Sequence, residues 1–124
     1  MHDEQLNANA VRCAQWYASQ GAINHKCPYK NGAGENLAYN YEKTQSASAR
    51  QATEMWYNEV KKYDYNRPGF SMATGHFTQV VWKNSRQFGI GVYQDPSSGR
   101  QYVCALYSPP GNYQGQFPEN VLQP

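Results

Sequence analysis

Two short runs near the C-terminal end constrain the fold more than anything else in the chain. Phe88-Gly89-Ile90-Gly91-Val92-Tyr93 and Tyr102-Val103-Cys104-Ala105-Leu106-Tyr107 are rich in β-branched and aromatic residues. Asp95-Pro96-Ser97-Ser98-Gly99 separates them, a cluster that turns the chain and cannot continue a strand. The pair reads as an antiparallel β-hairpin. Gly89 and Gly91 mark places where another backbone can come close. With 124 residues there is room for one domain over 1–124 and one core, which helices must complete.

The rest of the chain supplies those helices. Asp3 or Asn7 can cap a first helix, and Leu6, Ala10, Cys13, Ala14 and Tyr17 recur at helical spacing up to about Gln20-Gly21. The stretch from Asn24 to Gly34 contains Pro28, Asn31, Gly32 and Gly34, which places His25 and Cys27 on a loop. Glu35 to Tyr41 reads as a short edge strand. A second helix starts near Thr44–Ser48 and runs to about Lys62, with Ala52, Met55, Trp56 and Tyr63 on its apolar face. Glu59 falls on that same face, where an unpaired buried carboxylate would cost several kcal/mol, so it needs a partner. From Asp64 to Gly75 an ordered loop carries Pro68 and Gly69, with the rings of Tyr63, Tyr65 and Phe70 around it. His76 to Trp82 is too short for periodicity to separate helix from strand. The tail from Ser108 onward, with its prolines and glycine, is expected to be neither helix nor central strand.

Charge excludes one class of partner. Eleven basic and nine acidic residues give +2, and apart from Lys61-Lys62 the basic residues are scattered, so no nucleic-acid footprint is present. Aromatics are 15% of residues, eleven of them tyrosine, which favours amphipathic binding surfaces over a large apolar interior. No apolar run approaches the roughly 20 residues needed to span a bilayer. Three cysteines make an odd count, so at least one thiol is free or pairs with another chain.

His25, Glu35, Glu59 and His76 are candidate metal or proton-transfer groups, but no fixed local interval ties them together. Residue types alone leave each free to be a locally satisfied polar group. No serine sits in a Gly-x-Ser-x-Gly turn, and no base lies near a cysteine in the sequence.

A resemblance sharpens this. Gly75-His76-Phe77-Thr78-Gln79-Val80-Val81-Trp82 and Tyr102 to Tyr113 resemble the two long signatures of the CAP superfamily: cysteine-rich secretory, antigen 5 and pathogenesis-related 1 proteins. Gly34-Glu35-Asn36-Leu37-Ala38 and the Trp56 to Glu59 segment resemble its two shorter ones. The resemblance implies an α+β fold, an α-β-α sandwich with a small antiparallel sheet. It also implies a central cavity in which His25 and His76 bind a divalent ion such as zinc, while Glu35 and Glu59 act through water or from behind them. The rings of Tyr63, Tyr65 and Phe70 resemble a loop through which relatives take up sterol, so the expected partner is a lipid or sterol, with a membrane surface nearby.

Two departures bear on partners. Family domains usually begin with a helix before residues 4–20 and this chain starts too late to hold it; the uncovered surface would invite a homodimer. Secreted members pair the cysteine matching Cys104 with one at the position of Ile90, so Cys104 is expected to be a buried free thiol. That favours an intracellular, Golgi-like peripheral-membrane setting over an extracellular one. The leading expectation is a non-enzymatic binding module. A metal-dependent hydrolase, most plausibly a peptidase, is the second, and a protein-interaction module in membrane traffic or defence the third.

Overall fold

The computed structural model describes residues 3–123. Met1, His2 and Pro124, the ends of the expected domain, lie outside the described residues. The first helix, α1 (Glu4–Gln20), begins where the Asp3 carboxylate accepts from the Gln5 N–H at 3.0 Å. It ends at Gly21, whose φ of 67° needs a residue without a side chain. Then come β1 (Gly34–Asn40), α2 (Gln45–Asn58) capped by Thr44, and a 3₁₀ turn over Glu59–Lys62. After the loop follow α3 (Gly75–Val81), β2 (Gln87–Gln94), β3 (Gln101–Ser108) and one helical turn, α4 (Phe117–Asn120).

The sheet has three strands in the order β1-β3-β2, both pairings antiparallel. β3 is the centre and is buried on both faces, as the continuous apolar run Tyr102 to Tyr107 requires. Tyr102, Cys104 and Leu106 face α1 and pack on Leu6, Ala10, Cys13 and Tyr17. Val103, Ala105 and Tyr107 face the other way, onto Ala52 and Trp56 of α2. The alternation along one strand thus creates the helix-sheet-helix layering. A third cluster joins Phe77 and Trp82 of the α3 region to Phe117 and Val121.

The glycines of β2 explain how α1 docks. A Cβ on Gly89 would lie 2.2 Å from the Leu6 carbonyl carbon, and one on Gly91 would lie 2.3 Å from the Val11 nitrogen. Only glycine leaves room for the helix backbone here. The outward-facing groups of the same strand are also covered. The Asp3 N–H donates to the Phe88 carbonyl, the Ile90 N–H to the Asn7 amide, and the Gln45 amide to the Val92 carbonyl. That blunts an edge which could otherwise pair with another chain.

Two expectations need correction. The tail is not free of helix: Phe117–Asn120 forms one turn, because Pro118 sits in the first turn, where its missing N–H costs nothing. The apolar face assigned to the second helix is also narrower than its spacing suggested. Ala52 and Trp56 are buried, but Met55 is exposed, and Glu59 lies beyond the helix in the 3₁₀ turn.

Candidate functional site

His76 is held from three sides. It is the second residue of α3, and its ring stacks on Trp56 at 6.0 Å and 18°. Trp56 is itself anchored through its indole N–H to the Leu37 carbonyl. The His76 carbonyl accepts from the buried Asn36 amide at 3.1 Å, and its Nδ1 meets Glu59 Oε2 at 2.8 Å. The other Glu59 oxygen accepts the Phe77 N–H at 3.0 Å. Thr74, at the N-cap position of α3, makes no such bond, so Glu59 satisfies one of the orphan donors of the first turn instead. This accounts for a carboxylate at this place.

The segment after β3 locks α3 in place. Asn112, with a left-handed φ of 60°, donates to the Gly75 carbonyl and accepts from the Thr78 hydroxyl. The buried Gln79 accepts from the Gly111 N–H and donates to Ser85, which donates to the Pro109 carbonyl. Gly111 has no room for a side chain: a Cβ there would lie 2.7 Å from the Gln79 amide. The two long sequence signatures are therefore halves of one polar joint.

His25 is positioned differently. It sits on the loop between α1 and β1 with a φ of 63°, a conformation that costs a non-glycine residue energy and persists only where surroundings impose it. A bond between Cys13 and Cys27 ties this loop to α1. Its Nδ1 meets Glu35 Oε1 at 2.9 Å, and the Glu35 side chain is only 3% exposed. The Tyr17 hydroxyl lies 3.0 and 2.8 Å from the two Glu35 oxygens, Lys30 Nζ is 3.4 Å away, and Cys104 Sγ is 3.6 Å away. Burial pushes the Glu35 carboxyl up, but the bonds from His25 and Tyr17 and the Lys30 charge outweigh it and leave the group below the ordinary carboxylate range. Burial and the neighbouring Glu35 charge push the Cys104 thiol well up, so it is a protonated donor.

In both pairs a carboxylate faces Nδ1. An ionised carboxylate only accepts, so Nδ1 carries the hydrogen and the Nε2 lone pair is left over. Among the described residues, neither Nε2 has a protein hydrogen-bond partner. His25, Glu35 and His76 line one hollow of about 140 Å³, together with Asn36, Phe70 and Met72. Glu59 does not line it; with His76, Met55, Lys62 and Met72 it borders an adjoining hollow of about 430 Å³. No three of the four candidate residues bring ligand atoms within 4.8 Å of one another. Among the described residues that spacing is met by Cys13, Glu35 and Cys104.

The three rings of the loop do not share one face. Tyr63 and Tyr65 stack edge to face at 5.0 Å, and Tyr63 also touches Phe77 at 5.6 Å, so both belong to the third core cluster. Phe70 is half exposed and lies over Gly75, where it forms the lip of the histidine hollow. Tyr63 and Phe70 nonetheless border a separate hollow of about 300 Å³ under Pro68-Gly69.

Sequence reasoning missed Tyr17, Lys30 and the Cys13–Cys27 bond. The buried face of α1 held the signal for Tyr17, since a buried phenol needs a partner for its hydroxyl.

Comparison with known proteins follows the same residues. The family model for the cysteine-rich secretory protein family (CAP) matches residues 1–107. The Golgi-associated plant pathogenesis-related protein 1 of Homo sapiens is 38% identical over 98% of this chain and 78% of its own length. Protein PRY2 of Saccharomyces cerevisiae is 39% identical over 96% of this chain, which spans only 33% of that protein. The crystal structure of NaASP2 with Zn2+ superposes with a TM-score of 0.76 at 25% identity, over 94% of this chain and 63% of that one.

Proposed function

The chain belongs to the cysteine-rich secretory protein (CAP) family, and from that premise we propose a binding rather than a catalytic role. The domain holds a divalent transition-metal ion, zinc by donor type, between His25 and His76. It takes up an apolar ligand of the lipid or sterol class at the Tyr63–Phe70 loop. The observation that carries the metal reading is the repeated pairing: each imidazole has Nδ1 fixed by a glutamate and Nε2 left unpartnered beside one hollow. That is the arrangement which orients histidine ligands and raises their basicity in zinc sites. The ion would neutralise charge around Glu35 and cross-link the loop to α3.

Support for the apolar ligand is the 300 Å³ hollow lined by Tyr63, Pro68 and Phe70, within the range of small-molecule sites; Lys62, Asp64 and Arg67 also line it, as polar groups for a ligand's hydroxyl, and Tyr65 does not. The 140 Å³ histidine hollow is too small for a steroid and suits an ion with its waters.

A metal-dependent hydrolase ranks second. Each glutamate is committed to a histidine Nδ1, and Glu35 is also buried against Tyr17; only Glu59, with one hydrogen bond on each oxygen, keeps lone pairs for a metal-bound water.

Calorimetric titration with zinc tests the metal reading: we expect uptake of one equivalent, reduced at least tenfold in affinity by His76→Ala or His25→Ala. Unchanged affinity in both variants would remove it. For the apolar ligand, Phe70→Ala should reduce sterol uptake while leaving the melting temperature within a few degrees. Equal uptake by this variant would reject the loop as the site.

A further inference from the structure

A second cluster of metal-ligating atoms lies behind the histidine hollow. Cys13 Sγ, Cys104 Sγ and a Glu35 oxygen are within 4.8 Å of one another, and Cys27 Sγ is bonded to Cys13. All three sulfurs belong to the same core cluster, between α1 and the sheet. While Cys13 is in a disulfide it has no lone thiolate to offer, so this cluster cannot take a cation. Reduction changes that.

We propose that reduction of the Cys13–Cys27 bond creates a thiolate-rich zinc site formed by Cys13, Cys27, Cys104 and Glu35. In the chemical step a dithiol reductant is oxidised to its own disulfide. The Cys13–Cys27 bond breaks, and each sulfur takes up one proton and one electron. Zinc then displaces the thiol protons to solvent as it binds. Three sulfurs and one carboxylate oxygen supply four donors, all of types that zinc accepts.

Three features of the site support this. The donors sit on rigid elements: Cys13 on α1, Cys104 on the central strand, Glu35 on β1. Glu35 belongs both to the cluster and to the lining of the histidine hollow, so the cluster lies directly behind that hollow. Lys30 Nζ, 3.4 Å from Glu35, supplies a positive charge against the surplus of three thiolates and a carboxylate around one divalent ion. The inference does not depend on the histidine site, because none of its four donors is a histidine.

The test uses the whole chain, with and without a phosphine reductant under anaerobic conditions, in the unsubstituted protein and in a His25→Ala/His76→Ala variant. Cobalt(II) is the probe, since thiolate ligation gives an intense near-ultraviolet charge-transfer band. We expect the reduced chain to bind one equivalent more metal than the oxidised chain, with that band present only when reduced. Both the band and the extra equivalent should disappear in Cys104→Ser. The difference between reduced and oxidised forms is read in the His25→Ala/His76→Ala variant, because in the unsubstituted chain reduction also frees the loop that carries His25. The melting temperature of the reduced chain should rise on adding zinc, because the ion binds the folded state. Equal uptake by reduced and oxidised chains, a band that persists in Cys104→Ser, or a melting temperature that falls with zinc would each overturn the proposal.

Discussion

The two imidazole–carboxylate pairs use the same atoms at nearly the same distance, 2.9 Å for His25–Glu35 and 2.8 Å for His76–Glu59, yet they are built in opposite ways. In the first, the acid is buried at 3% exposure and the histidine is exposed at 54% on a loop. In the second, the acid is at 18% and the histidine at 33%, stacked on a buried indole at the start of a helix. One half of the site fixes its carboxylate and lets it hold the ring; the other fixes the ring. A hollow between the two therefore has one rigid wall and one that depends on a strained loop and a covalent tie.

The largest effect should come from the rigid wall. Trp56→Ala removes the floor under His76 and leaves the Leu37 carbonyl unpaired, and a loss of about 3–5 kcal/mol is expected in denaturant unfolding. Less than about 1 kcal/mol would mean that the stacking does not carry this half. On the loop side, Cys27→Ser opens a closure spanning 14 residues, for an expected loss of about 3 kcal/mol. If the two losses were reversed in size, the contrast between the walls would be wrong.

The buried acid gives a sharper test. Because the folded Glu35 titrates below its ordinary value near 4.5, its stabilisation is complete above that pH and is lost as the pH falls through the folded value. In metal-free buffer the native chain should lose stability on going below about pH 4.5, and Glu35→Gln should lose less over the same window. Parallel curves for the two proteins would show that Glu35 does not supply the acid limb. Smaller still is the expected effect of either glutamate on zinc. Glu35→Gln and Glu59→Gln should each weaken binding by about 10–100-fold, the range for partners that orient a ligating histidine. No change in either would separate the carboxylates from the metal site.

How far the sequence could be read follows the same division. The hairpin is legible because two runs rich in β-branched and aromatic residues flank an unambiguous turn, and α1 because five apolar residues share a face behind a capping aspartate. The short α3 is not, since seven residues give no period to count. Glu59 falls on a helical face only if the pattern from Ala52 to Tyr63 forms one helix, and the helix ends at Asn58. Its partner is an α3 backbone N–H and a ring 17 positions away, which no local spacing encodes. The family likeness implies that His25 and Glu35 share a cavity but does not pair them, because a loop with four breakers can place its side chain anywhere. The disulfide escaped for the same reason: Cys13 was expected on a buried face, but nothing local brings Cys27 to it.

The central claim, that His25 and His76 hold one ion through Nε2 while Nδ1 stays on the glutamates, is tested most directly by nitrogen-15 NMR of the histidine rings through a zinc titration. The Nε2 resonances of His25 and His76 should move together and stop moving at one equivalent, with both Nδ1 protons retained. Movement of only one of the two rings, or loss of the Nδ1 protons on binding, would contradict it.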